Sequence, residues 1–177
     1  TLLASSAASD VYKRQGHTDW VTTVTVTPDG KQVISGSFDK TIKVWSLATG
    51  LEVATLVGHS GWVKALAVTP DGKRLISGSF DNTIKVWSLE TERELFTLNG
   101  HTDWVSSVAV TSDGNLVISG SDDNTLKVWD LETQKVIASF TGENSLECCA
   151  VAADEVQIIV GEASGRVHFL KLESYNK

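Results

Sequence analysis

Methionine is absent from all 177 residues, and cysteine and proline occur only twice each. Without methionine, Thr1 is not expected to be a natural start. No stretch approaches the roughly 18 consecutive apolar residues that span a bilayer, so no membrane partner is expected. The basic stripe that phosphate backbones demand is missing too. Fifteen Lys and Arg stand against 22 Asp and Glu, a formal charge of −7, which makes nucleic acid a poor partner. Cys148 and Cys149 are neighbours, and a disulfide across one peptide bond is hard to close. No CxxC spacing supports a zinc site, so neither metal nor cofactor is expected. Two reduced thiols fit a reducing compartment, hence a cytoplasmic location. Helical periodicity is absent throughout.

The first fifteen residues look foreign to the rest. Thr1 to Ser9 resembles the end of a secretory signal, with small residues at the place of cleavage. Ser5 to Gln15, SSAASDVYKRQ, is however what one reading frame of a transposase-type sequencing-library adapter encodes. Residues 1–15 are therefore read as a disordered artefact and set aside, and the signal peptide with them.

What remains is repetitive. Gly-His recurs at Gly16-His17, Gly58-His59 and Gly100-His101, an interval of 42 each time. Trp20, Trp62 and Trp104 keep that interval, as do Trp45, Trp87 and Trp129, and 27 of the 42 residues in 16–57 recur in 58–99. A period of about 40–45 residues marks a stacked or radial repeat. Each unit reads as four short strands. In the first they run Trp20 to Val26, Gln32 to Ser37, Thr41 to Leu47 and Leu51 to Val57, separated by the turns Thr27-Pro28-Asp29-Gly30, Phe38-Asp39-Lys40 and Ala48-Thr49-Gly50. The fold class is all-β, with blades at 16–57, 58–99 and 100–141, an incomplete terminal blade at 142–173 and a tail at 174–177.

The order Gly-His, Pro/Ser-Asp-Gly, Ser-Gly-Ser-x-Asp and a closing Trp-Asp or Trp-Ser, present in three units, resembles the WD-repeat family. The likeness runs from Gly16 to about Glu173 and implies a partial β-propeller of about four blades, four antiparallel strands each. The tail around Ala163 to Leu170 is similar to final blades of bacterial, especially cyanobacterial, WD-repeat proteins. Such relatives often carry an NTPase, caspase-like or kinase domain upstream. They close when an N-terminal strand completes the last blade, so the C-terminus is expected to be genuine. The blades of the parent chain that would supply that strand are expected to lie upstream.

Three Ser-His-Asp sets invite a hydrolase reading: His17, Ser35, Asp39; His59, Ser77, Asp81; and His101, Ser119, Asp123. Catalysis needs one exposed nucleophile with an oxyanion hole, not three copies at fixed intervals, and no G-x-S-x-G elbow occurs. The resemblance implies instead that each set joins Trp45, Trp87 or Trp129 in a buried structural chain running Asp, His, Ser, Trp. No catalytic residue is expected. Asp122-Asp123-Asn124 lacks the spaced ligands of a calcium loop. Lys43, Lys85 and Lys127 read as solvated strand residues. In the fourth unit Val160, Ser164 and Leu170 stand at the serine, aspartate and tryptophan positions, and Gly142-Glu143 lacks the histidine. Its polar network is read as replaced wholesale, as in a terminal blade.

Family propellers bind on the face bearing the loops before the first strand and after the second. That face is expected to carry Trp20, Trp62 and Trp104, with Phe38, Phe80 and Asp122 and further candidates Thr22, Lys64 and Ser106. Aromatic rings among polar residues are the composition of hot spots; equally, such rings can wedge neighbouring blades or cover the network. The expected function is a non-catalytic scaffold that holds a protein or peptide partner, a recruitment or regulatory module of a larger signalling protein. A Ser-His-Asp hydrolase and a purely structural oligomerisation array are the alternatives. The second draws on the unpaired edges that a missing fourth strand leaves.

Overall fold

A computed structural model describes residues 16–152 and 157–172; the segment read as an adapter lies outside them. The described residues form strands and turns with no helix. The first sheet contains β1 (Val21–Val26), β2 (Gln32–Ser37), β3 (Thr41–Ser46) and β4 (Glu52–Val57); the second β5 (Val63–Val68), β6 (Arg74–Ser79), β7 (Ile84–Ser88) and β8 (Arg93–Leu98). The third contains β9 (Val105–Val110), β10 (Leu116–Ser121), β11 (Thr125–Asp130) and β12 (Lys135–Thr141), and the last only β13 (Leu146–Val151), β14 (Gln157–Glu162) and β15 (Val167–Lys171). Within each sheet the strands follow chain order and pair antiparallel. This is the partial propeller that the repeat implied, with three strands in its fourth blade.

Turn chemistry fixes the hairpins. Gly30 takes φ 69, and its N–H bonds the Thr27 carbonyl at 2.8 Å, the left-handed corner that glycine adopts freely. A β-bulge recurs in the first strand of each of the first three blades, and Thr22, Lys64 and Ser106 are the extra, unpaired residues. Such a bulge re-aims a side chain, and it sets where these three point.

The hydrophobic core lies between sheets. Ile34, Ile42, Val44 and Leu56 of the first blade pack against Val63, Leu75 and Trp87 of the second. Ile76, Ile84, Val86 and Leu98 meet Val105, Val117, Trp129 and Leu131 in the same way. Ile118, Leu126 and Val128 then meet Leu146, Ile158 and Val160. Alternation along β8 separates its two leucines: Leu98 is 2% exposed and Leu95 is 49% exposed. Leu98→Ala should therefore cost about 2–5 kcal/mol in urea unfolding, and Leu95→Ala less than about 1 kcal/mol. Equal costs would contradict this packing.

Candidate functional site

The three repeated polar sets assemble alike. In the second blade His59 Nδ1 lies 2.8 Å from Asp81 Oδ2, His59 Nε2 lies 2.7 Å from Ser77 Oγ, and Trp87 Nε1 donates to the same Oγ at 2.8 Å. His17, Asp39, Ser35 and Trp45 repeat these distances, as do His101, Asp123, Ser119 and Trp129. An ionised aspartate only accepts, so each Nδ1 carries a proton; in the neutral ring Nε2 then accepts from the serine hydroxyl. That proton order is the one a hydrolase would use.

Access is what differs. Ser77 and Ser119 have no exposed surface, and each Oγ is held between a histidine and an indole. A Cβ on Gly58 would come within 2.9 Å of Trp87 Cη2, so the glycine of Gly-His lets the backbone lie against the indole that completes the relay. No buried side-chain polar atom among the described residues lacks a partner.

The aspartates anchor the relay. Asp81 Oδ2 also accepts the Ser60 N–H at 2.9 Å, and Oδ1 accepts the Thr83 hydroxyl at 2.6 Å and its N–H at 3.1 Å. Burial pushes each of these carboxyls up, but the hydrogen bonds outweigh it. Those from Thr41, Thr18 and His17 hold Asp39 well below the ordinary carboxylate range; those from His59, Thr83 and Ser60 do the same for Asp81. Asp123 is lowered to about 2 against the same burial by Thr125, Thr102 and His101. Burial also lowers His101, against the pull of Asp123.

Lys43 and Lys85 are not simply solvated, contrary to the reading above. The Lys43 side chain is 11% exposed; its Nζ meets Glu52 Oε2 at 2.9 Å and Thr55 Oγ1 at 2.7 Å. Lys85 repeats the arrangement with Glu94 and Thr97. Their aliphatic stems pack while the ammonium finds a carboxylate one strand over.

The fourth blade needs a second correction. Its polar network has moved rather than vanished. Glu162, with a fully buried side chain, lies 2.6 Å from His168 Nε2 and accepts from Asn144 at 3.0 Å and from Ser164 at 2.8 Å. The bonds from His168 and Asn144, in that order, lower its pKa to about 2. Glu162 stands where Ser121, the second serine of Ser-Gly-Ser, stands in the third blade, and that exchange was the available signal.

The aromatic residues of the loop face form one ladder. Ring centroids run Trp20–Phe38 at 5.7 Å, Phe38–Trp62 at 3.9 Å, Trp62–Phe80 at 5.4 Å and Phe80–Trp104 at 4.1 Å. The two short steps cross from one blade to the next and are nearly parallel, at 13° and 5°. All three tryptophans are exposed, while Phe38 and Phe80 are half-buried. Asp122 ends the series and accepts the Ser106 hydroxyl at 2.7 Å. Lys64 is exposed. Ser106 is buried, and the Thr22 hydroxyl bonds the Gly36 and Val63 carbonyls between blades, so neither hydroxyl is presented to a partner.

Ser77→Ala leaves His59 and Trp87 without a shared partner, and should lower unfolding stability by about 1–3 kcal/mol; an unchanged midpoint would show the relay to be idle. Acid should destabilise the fold. His101 is held neutral below its ordinary 6.5, so the unfolded chain binds the extra proton and stability falls as pH drops below 6.5. The depressed aspartates contribute fully above their ordinary 3.8 and lose that contribution as pH falls toward 2. Melting temperatures from pH 7 to pH 3 should decline, steepening below pH 4; a flat profile would contradict the assignment.

Comparison with known proteins matches these same segments. The family model described as "WD domain, G-beta repeat" matches residues 8–46, 50–88 and 92–130. Its second and third windows run from the fourth strand of one blade to the third strand of the next, and its first reaches into the segment read as adapter. A "Ribosome biogenesis protein BOP1 homolog" from Drosophila grimshawi is 50% identical over 42 residues, 24% of this chain and 5% of that protein. The protein of the same name from Drosophila melanogaster is 50% identical over 48 residues, 27% of this chain and 6% of that protein. The aligned segments thus cover about one-twentieth of those relatives. Matched over well more than half its length, the chain belongs to the WD domain, G-beta repeat family.

Proposed function

We propose that this chain is a non-catalytic scaffold that holds a protein or peptide partner on the aromatic face, as a recruitment or regulatory module of a larger signalling protein. The observation that carries the reading is the five-ring ladder from Trp20 to Trp104, exposed at each tryptophan above a polar relay that is already satisfied. Rings locked by their neighbours lose little freedom on binding, which favours affinity. Aromatic anchors dominate interface energetics.

The relay supports the same reading from the other side. Ser77 and Ser119 have the proton order of a nucleophile but no exposed surface, while Ser35 borders an open depression on the first blade. The acidic balance, −7, speaks for a protein partner over nucleic acid. Both cysteines are free, and burial pushes the Cys149 thiol up to about 11, which makes it unreactive; a cytoplasmic site suits such a pair. The ribosome-biogenesis name belongs to relatives matched over a single repeat, so the repeat carries over and the pathway does not.

Panning a random peptide display library on the chain tests the proposal. Binders should lose at least 10-fold affinity to the Trp104→Ala and Phe80→Ala variants, and keep it to Pro70→Ala, whose turn lies at the opposite end of the strands. Circular dichroism of the same variants should stay unchanged. Binding that survives both ladder variants, or Ser77-dependent ester hydrolysis, would overturn it.

A further inference from the structure

Lys43, Lys85 and Lys127 occupy one position of the repeat, and two of the three are clamped. Lys43 Nζ meets Glu52 and Thr55. Lys85 Nζ meets both carboxylate oxygens of Glu94 at 2.9 Å and Thr97 Oγ1 at 2.8 Å. Each threonine hydroxyl donates to the same glutamate, at 2.5 Å and 2.6 Å. In the third blade Val136 stands at the glutamate position and Ser139 at the threonine position. Among the described residues no carboxylate pairs with Lys127.

The exchange is confined to side chains. Lys127 faces Ser139 across its strand pair as Lys43 faces Thr55 and Lys85 faces Thr97. The same β-bulge follows, so Val136 stands opposite Trp129 where the glutamates stand opposite Trp45 and Trp87. A glutamate oxygen lies 3.3 Å from the Cβ position of Gly16 and 3.0 Å from that of Gly58; at Gly100 only the Trp129 indole comes within 4 Å. Lys127 is half-buried, while Ser139 and Val136 are exposed. A group arriving from solvent therefore reaches the ammonium.

A half-buried charge attracts a counter-ion more strongly than one fully in water, because the dielectric around it is lower. The Lys127 charge is felt nearby: burial lowers His101 and Lys127 adds to that, against the pull of Asp123. The other two blades define the chemistry that satisfies such a lysine, a single carboxylate shared with a neighbouring hydroxyl. With a net charge of −7, the chain repels a polyacid, so the site favours one isolated acidic group.

We propose that the outer edge of the third blade is a docking site for a glutamate or aspartate side chain of a protein partner. That carboxylate accepts from the Lys127 ammonium and the Ser139 hydroxyl beside Gly100, and completes the clamp that Glu52 and Glu94 complete from within. Every residue it uses belongs to the third blade, and it does not rest on the aromatic ladder.

Val136→Glu is the natural plug, since it gives the third blade the glutamate of the other two. Displayed random octapeptides are selected on the full chain and counter-selected on the Val136→Glu chain. Survivors should share an Asp or Glu at one position. Resynthesised and measured by fluorescence anisotropy, they should bind Lys127→Gln about 10-fold more weakly or worse, the loss expected of a charge-assisted contact. Exchanging the shared acid for its amide should cost as much. Binding should persist with Val136→Thr, which keeps the shape of valine without a charge, and with Trp104→Ala, which touches only the ladder. An empty counter-selection, survivors without a shared acid, or binding indifferent to Lys127→Gln overturns the proposal. Loss with Val136→Thr also overturns it, because the plug would then act through shape alone. Loss with Trp104→Ala and not with Lys127→Gln assigns the binding to the ladder instead.

Discussion

A four-stranded sheet with apolar side chains on both faces cannot shield itself, and everything else in this chain follows from that constraint. Each blade lends an aliphatic quartet such as Ile76, Ile84, Val86 and Leu98 to the next, and receives the previous one on residues such as Val63, Leu75 and Trp87. Three cores between sheets therefore replace the single core of an ordinary domain. The 42-residue interval is the chain length of one such loan and return. The tryptophan is the largest piece of each receiving face, so its indole sits where a polar hydrogen has no water to meet.

That buried indole hydrogen explains the relay. A Trp Nε1–H in an apolar seam needs an acceptor, and the serine of the facing strand provides one at 2.8 Å. The serine then needs an acceptor for its own proton, the histidine one for its second nitrogen, and the chain ends on a carboxylate fed by two backbone N–H groups and a threonine hydroxyl. A hydrolytic triad and this staple share their proton order because both solve the same problem of lining up donors and acceptors. A nucleophile also needs an open oxygen and an oxyanion hole, and Ser77 and Ser119 have no exposed surface. The fourth blade tests the logic from within. Leu170 replaces the tryptophan, the indole hydrogen disappears, and the serine and histidine go with it; Glu162 gathers a different set of donors nearby.

Most of this architecture was legible in the sequence. The strands were, because β-branched runs such as Thr41 to Ser46 stand between turn residues whose φ requirements are local. The relay was, because four residue types recurred together in three units. What escaped involved partners that strand alternation within a unit does not reveal. Lys43 reads as a polar outward residue until Glu52, nine positions on and past a β-bulge, is seen to turn back under it. Thr22 and Ser106 sit on bulges whose extra residue redirects the side chain, so alternation misassigns their direction. Phe38 and Trp62 stack at 3.9 Å although they belong to different units, which a comparison of units against each other cannot detect.

In the ladder, stapling the blades and the proposed binding are compatible. Phe38 against Trp62 and Phe80 against Trp104 tie adjacent blades together, as wedges would; the same contacts spend the ring faces and leave ring edges and the outer tryptophan surfaces toward solvent. A free tryptophan on a loop would have to be ordered by its partner, at a cost of about 0.5–1.5 kcal/mol for each immobilised side chain. Here the blades have already ordered it. The series stops where Asp122 takes the ring position and binds Ser106, so the aromatic strip belongs to the first three blades and stops short of the fourth. The same inter-blade packing that stabilises the fold thus also sets the length and rigidity of the surface it presents.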